Sequence, residues 1–300
     1  MGERGLWQTA MRIGIVGSKG GWSSERLADR VAEKCGYRLL IEMDKVRLDL
    51  STGQAWFEGV DIGTLDAIII KKIGARYSPK LLDRLEMLRF LAERRLKVFS
   101  SPERVMRVLD RLSCTVTLQL AGIPVPPTTV TEDVRQAEQA VAAYGEAVFK
   151  PLYTSKARGM VVVRKGQDVP KAIKAYRLEN PIMYIQKKID LQEKDLGIAF
   201  IGGEYLTTYA RCKQNSSWNT STVSGAKYAS FDPPGEIIDL AKKAQSLFDL
   251  YFTCVDVALT PQGPYVFEVS AFGGFRGIQE ARGIDPAKRC AEYVVEKIRG

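Results

Sequence analysis

The sequence predicts an α/β protein in three successive parts: a small parallel-sheet domain, an α+β lid and a C-terminal sheet that ends in a hairpin. Three observations carry this reading. Apolar, β-branched runs alternate with helical stretches over residues 11 to about 100. A proline-rich exit, Gly122-Ile123-Pro124-Val125-Pro126-Pro127, cannot continue a helix and marks a boundary. Near the other end, two strand-like runs flank Pro261 to Pro264.

Taken in order, Arg12 to Val16 is a strand, Gly17 to Gly21 breaks it, and Ser23-Ser24-Glu25 opens a helix near Arg26 to Cys35. The glycine turn fits two readings, a tight turn or a phosphate cradle at a helix N-terminus, and it lacks a full dinucleotide or P-loop pattern. A strand near Tyr37 to Met43 follows, then a hairpin over Arg47 to Phe57 turning at Ser51 to Gln54. Strand Asp66 to Ile70, helix Pro79 to Arg94 and strand Lys97 to Ser100 complete the set. Two helical stretches between Glu103 and Ala121 lead to the proline-rich exit, so the first domain covers residues 11–122. The lid, 123–185, reads helix Glu132 to Ala143, strand Ala147 to Leu152, strand Met160 to Arg164, helix Val169 to Leu178 and a strand from Met183 that runs on to Ile189. Residues 186–300 hold strands near Leu196 to Ile201 and Tyr205 to Cys212, then a polar stretch, Lys213 to Gly225. Helix Pro234 to Leu250, the hairpin and a closing helix Pro286 to Arg299 finish the chain. There is no internal repeat.

Composition narrows the chemistry. With 45% hydrophobic and 26% charged residues over 300, the chain can bury real cores. No apolar run approaches the roughly 20 residues of a membrane span, and Met1 to Ala10 reads as a flexible leader without a signal-peptide core, so the expected location is the cytoplasm. The five cysteines are odd in number, widely spaced and form no Cys-x-x-Cys pair, which supports neither a disulfide framework nor a zinc ribbon. Histidine is absent, which excludes Ser-His-Asp and Cys-His catalysis and His-ligated zinc. Catalysis therefore falls to Lys, Arg, Asp and Glu. The net charge of +9 is uneven: Lys71 to Arg111 holds 12 basic against 5 acidic residues. That basic face is either solvated helix surface or an attractor of polyanions, and no nucleic-acid-binding module accompanies it.

The hairpin Cys254 to Ser270 is the most informative feature. If its strands pair symmetrically about Gln262, partner numbers sum to 524, so Asp256 faces Glu268, Cys254 faces Ser270, and period two puts all four on one face. Opposed carboxylates repel, and a bound cation resolves the conflict; oxygen ligands without sulfur or imidazole suit Mg²⁺. A solvated acidic edge is the alternative. Lys150 lies inside the apolar strand Ala147 to Leu152, where its ammonium either snorkels to solvent or meets a phosphate. The loop Thr154-Ser155-Lys156-Ala157-Arg158-Gly159 that follows could fold over phosphates. Arg211 is a further cation at a strand end.

In this order the elements resemble the ATP-grasp superfamily, and within it the RimK-type carboxylate–amine ligases, over Met11 to Ile298. The resemblance implies an ATP-grasp fold behind a pre-ATP-grasp parallel-sheet domain. Asp110-Arg111 resembles the family's Asp-Lys segment, whose basic residue touches ATP phosphate. Phe149-Lys150-Pro151 is similar to the phosphate-binding lysine strand, and Thr154 to Met160, with Gly159, to a mobile glycine lid. Gln186, Lys187, Lys188, Ile189 and Asp190 align with the hinge whose backbone reads adenine, and Asp195 with the acidic residue beyond it. Arg211 matches an arginine near the transferred phosphate, while Asp256, Glu268 and Ser270 fall on the metal-ligand positions. By this resemblance Lys150 and Arg211 are the catalytic candidates.

Four positions depart from the pattern: Arg111 replaces lysine, Lys187 the hinge glutamate, Gly197 an arginine, and Ser270 the Asn of Glu-x-Asn. A serine hydroxyl ligates Mg²⁺ more weakly than an amide carbonyl. The ending Glu268-Val-Ser-Ala-Phe-Gly-Gly-Phe-Arg-Gly277 is most similar to the GAK-system ATP-grasp branch. The implied activity is amide formation through an acyl phosphate, with ATP and Mg²⁺, or Mn²⁺ in its place. An unidentified carboxylate and amine are the substrates, a peptide or protein among the candidates. No membrane or nucleic-acid partner is expected, and a homo-oligomer is compatible. The alternatives are an inactive nucleotide-binding regulatory subunit, for which Ser270 and Lys187 speak, and a phosphotransferase using the same site.

Overall fold

A computed structural model describes residues 11–74, 77–214, 218–221 and 225–300. The expected leader, residues 1–10, lies outside them, as does part of the polar stretch between 213 and 225. The chain forms two compact units: Met1–Ala75, Leu81–Glu103 and Asp285–Gly300 make one, Arg76–Lys80 and Arg104–Ile284 the other.

The first unit opens with β1 (Ile13–Val16), α1 (Trp22–Cys35) and β2 (Leu39–Ile41). A small antiparallel sheet of β3 (Arg47–Asp49), β4 (Gln54–Phe57) and β5 (Val60–Asp61) follows, then β6 (Ala67–Ile70), α2 (Lys80–Glu93) and β7 (Lys97–Phe99). Strands β2-β1-β6-β7 form a parallel sheet in that order. Every residue of β1 and β6 is buried, which is why these strands read as unbroken apolar runs and not as alternation. The glycine turn between β1 and α1 is closely packed: a Cβ on Gly17 would stand 2.7 Å from that of Ser24. Its backbone donors are already engaged, Ser18 N–H by Ser24 Oγ, Lys19 N–H by Glu42 and Gly20 N–H by Glu25. Two of the three acceptors are carboxylates, so of the two readings the turn is the one the geometry supports; an anion would meet like charge there.

The second unit starts with α3 (Pro102–Leu109) and α4 (Arg111–Leu120). Next come β8 (Thr128–Thr131), α5 (Val134–Tyr144), β9 (Glu146–Lys150), β10 (Val161–Arg164), α6 (Val169–Glu179) and β11 (Met183–Lys187), whose strands pair antiparallel in the order β10-β9-β11-β8. Ala137 and Val141 of α5 and Ile173 of α6 pack with Ala147, Phe149, Met183 and Ile185 on one face of this small sheet. Strand alternation then leaves Lys150, Tyr184 and Gln186 on the other face. A larger antiparallel sheet, β14-β13-β12-β15-β16, is built from β12 (Lys194–Ile201), β13 (Glu204–Cys212), β14 (Lys227–Ser230), β15 (Phe252–Thr260) and β16 (Gly263–Ser270). Two helices accompany it, α7 (Gly235–Ser246), which stops before the expected Leu250, and α8 (Phe275–Arg282).

The last helix, α9 (Pro286–Arg299), returns to the first unit and packs on α1. Asp285 fixes that return: its carboxylate accepts the Ala287 and Lys288 N–H groups as N-cap of α9 and pairs with Arg26 and Arg30 of α1 at 3.0 and 2.8 Å. No helix among the described residues is long and apolar enough to cross a membrane. Replacing Asp285 with Ala should destabilise the protein by roughly 1–2 kcal/mol through loss of the cap alone. Asp285→Asn, which keeps an N-cap acceptor but not the ion pairs, should fall between wild type and Asp285→Ala in urea denaturation.

Candidate active site

The floor of the site is the β15–β16 hairpin. Asp256 lies opposite Glu268 and Cys254 opposite Ser270, the register expected from the sequence. The turn itself differs from expectation. Thr260 pairs with Gly263 around the two residues Pro261 and Gln262, one position short of a turn centred on Gln262, and a β-bulge between Asp256 and Val257 on one side and Glu268 and Val266 on the other makes up the slip. Phe267 is the extra residue, and its ring lies 5.0 Å from the Lys150 ammonium.

The neighbouring strand pairs supply the cation. Asp195 of β12 and Arg211 of β13 are register partners, joined by Nε and Nη2 of Arg211 at 3.0 and 2.6 Å. Nη2 also reaches Asp256 of β15 at 2.9 Å. Burial by itself would lower the Arg211 pKa, yet the charges of Asp195 and Asp256 hold it well above the ordinary arginine value. Burial pushes the Asp256 carboxyl up and Arg211 pulls it back, while Glu268 and Asp195 reinforce the rise. Glu268 is itself 3.5 Å from Nη1 of Arg111. The repulsion expected between the two carboxylates is thus offset within the protein, and their register alone does not demand a metal.

Arg111 occupies the first turn of α4, where Asp110 caps the helix through the Leu112 N–H. A cation at a helix N-terminus is electrostatically unfavourable, so the stability of α4 itself does not account for this arginine. Its guanidinium donates to the carbonyls of Pro151 and Thr154 at 3.2 and 3.3 Å, which ties the start of the loop after β9 to Glu268. Farther along that loop Lys156, Ala157 and Gly159 have φ of 58°, 57° and 67°, and the Lys156 carbonyl accepts from Ser221. Two consecutive non-glycine residues in the left-handed region make this a strained segment.

Lys150 is 8% exposed and donates to Gln186 Oε1 at 2.5 Å. Gln186 donates onward to Thr128 Oγ1 and Tyr184 Oη, and Tyr184 Oη shares a hydrogen bond with Thr115, whose hydroxyl also reaches the Arg111 carbonyl. With no carboxylate bonded to it, the ammonium is poorly compensated. Burial lowers its pKa to about 7, the Arg111 charge acts in the same sense, and Glu268 opposes both.

The structure thus gathers Lys150, Arg111, Arg211, Asp195, Asp256, Glu268 and Gln186 on facing surfaces of one unit. Ser270 lies beside them, but its hydroxyl accepts the Phe272 and Gly273 N–H groups at 3.3 and 3.1 Å, which engages both lone pairs a metal would use. Lys187 is exposed, and Lys188 is drawn to Glu146 at 2.7 Å. The N–H groups of both are bonded, to Pro127 and Glu146 carbonyls, whereas Ile189 follows β11 outside the ladder. Gly159 sits in the strained loop and has no bond to the cluster among the described residues. Sequence reasoning missed Tyr184, although period two from Gln186 marks it, and Phe267, which only the bulge brings round. It also missed Tyr77, half-buried, whose phenol burial raises in pKa within the field of Glu268, Arg111 and Arg158. Burial raises the Cys114 and Cys254 thiols to about 12, which keeps both protonated and unreactive.

A profile of the RimK-like ATP-grasp domain matches residues 108–294. The chain is 24% identical over 307 residues to a tetrahydromethanopterin:α-L-glutamate ligase of Methanosarcina acetivorans, covering 91% of this chain and 95% of that one. It is 26% identical over 195 residues to the ribosomal protein bS6–L-glutamate ligase of Salmonella paratyphi B, covering 63% and 64%. Among solved structures, the ATP-grasp ligase PsnB with a phosphomimetic variant of its minimal precursor, Mg and ADP superposes with a TM-score of 0.74 at 15% identity, over 96% of this chain and 99% of PsnB. This likeness shows the fold, and with the domain match it settles the family: the chain belongs to the RimK-like ATP-grasp ligases, ATP-dependent enzymes that join a carboxylate to an amine.

Proposed function

We propose that the protein uses ATP to activate a substrate carboxylate as an acyl phosphate, which an amine then attacks to form an amide with release of ADP and phosphate. The observation that carries this reading is the convergence of Lys150, Arg111 and Arg211 on the paired carboxylates Asp256 and Glu268. Three cations can hold phosphate oxygens and offset the negative charge that shifts during phosphoryl transfer. In this reading the Ile189 N–H serves as the hinge donor to adenine, and the loop 151–160 closes over the phosphates to keep water from the acyl phosphate.

The donor set fits Mg²⁺. Two hard carboxylates in register match an ion that takes one or two of them and completes its shell with phosphate and water, and the raised pKa of Asp256 marks a carboxylate that a further cation would relieve. When bound, the ion would neutralise phosphate charge between Asp256 and Glu268. Ser270 would act through the turn it caps and not as a strong ligand.

The relatives' names make L-glutamate the first amine to try, with free carboxylates and peptide C-termini as acceptors. ADP release with amide and free phosphate supports the ligase. A phosphoester without free phosphate would point to a phosphotransferase, and no turnover with any pair to a nucleotide-binding subunit.

Two outcomes follow for the site. With a free-state pKa of about 7, Lys150 is charged below that pH, and phosphate contact raises its pKa further. Nucleotide affinity should therefore be full below pH 7 and fall above it, by up to roughly tenfold per pH unit, with proton uptake on binding at pH 8. Calorimetry in buffers of different ionisation enthalpy reads that uptake, and Lys150→Met should abolish it. Glu268→Gln should eliminate ATP turnover. Because Glu268 is 42% exposed and only 3.5 Å from Arg111, the ligand-free protein should melt within a few degrees of wild type. Mg-ATP should raise the wild-type melting temperature and the variant's far less.

A further inference from the structure

One side chain at the site comes from outside the matched domain. Tyr77 lies between β6 and α2, before the 108–294 segment, yet it counts with the second unit. It lines a cavity of about 30 Å³ together with Arg111, Thr154, Ser155, Glu268 and Phe272. Among the described residues its hydroxyl has no hydrogen-bond partner, while the groups around it are a guanidinium, a carboxylate and the loop after β9. A phenol so placed supplies one donor and no charge.

An oxygen-rich anion entering this cavity would meet Arg111 on one side and the phenol on another. Glu268, an acceptor only, cannot serve such an anion directly. We propose that Tyr77 contacts the transferred phosphoryl group, donating its hydroxyl hydrogen to an equatorial oxygen both in ATP and in the acyl phosphate. This rests on the ligase reading of the site. It gives the first 107 residues a direct part in the chemistry: a neutral donor adds orientation at the phosphoryl oxygens, where Lys150, Arg111 and Arg211 already supply charge. Adenine, ribose and the α- and β-phosphates lie outside its reach in this assignment, so its contribution is separable from nucleotide affinity.

The probe is orthovanadate, a phosphoryl mimic, titrated into the full-length protein saturated with Mg-ADP. Tyr77→Phe removes the hydroxyl and keeps the ring. Its affinity for Mg-ADP should stay within about twofold of wild type, while vanadate binding to the Mg-ADP complex weakens roughly five- to tenfold, as loss of one neutral donor to an anion implies. Ser78→Ala, a change in the same loop, should leave both constants unchanged, and Mg-ADP binding itself reports that each variant is folded. Equal vanadate affinity in Tyr77→Phe and wild type overturns the assignment, as does an equal loss in Ser78→Ala, which would make the loop and not the phenol responsible. A wild-type protein that binds Mg-ADP but not vanadate also overturns it. Failure of wild type to bind Mg-ADP at all would instead remove the ligase reading on which it stands.

Discussion

Arg211 holds a single positive charge between two carboxylates contributed by the strands on its one side, Asp195 from β12 and Asp256 from β15. None of the three could be buried alone: an unpaired charge in this position costs several kcal/mol, whereas removing one partner of such a set strands the others. The arrangement therefore constrains the order and register of three strands at once. It also fixes where Asp256 points, and through the Asp256–Glu268 pair it fixes the line along which the hairpin meets Arg111.

The same logic runs through the whole cluster. Arg111 divides its donors among two loop carbonyls and Glu268, and Lys150 leans on an amide oxygen and an aromatic ring in place of a counter-ion. A polyanion entering this cluster exchanges partners already in place and does not meet bare charge. Lysine at position 111 could not hold the same set, because a planar fork is needed to reach two carbonyls and a carboxylate together. The departure from the family's lysine thus has a structural use in tying the loop after β9 to the hairpin.

How far the sequence disclosed this varies with the kind of interaction. Strand alternation is local, so counting gives the facing of Asp256 and Glu268, even though the turn is one residue shorter than symmetric pairing about Gln262 predicts and a bulge makes up the difference. The apolar strands β1 and β6 and the helices α5 and α6 were legible for the same reason. Strand β8 was not, because four Thr and Val residues directly after a proline run read as loop, and α8 was hidden by the glycines at its start and in its middle. The arginine partners of the two carboxylates and the position of Tyr77 depend on segments far apart in the chain, and no periodicity encodes them. Nor does any local pattern assign α9 to the first unit.

Gly197, the position where the family carries an arginine, has a reason visible only in three dimensions. A Cβ there would stand 2.3 Å from the Tyr209 ring, and one on Gly277 of α8 would stand 2.5 Å from the same ring's other edge. The phenol is thus gripped between strand and helix, with its hydroxyl on Cys254. Substitution at these sites is consequently restricted: arginine does not fit at 197 while tyrosine stays at 209, and neither glycine can change ahead of the ring. A side chain at either glycine therefore requires a smaller residue at 209 first, so the ring at 209 sets the order in which these three positions can change.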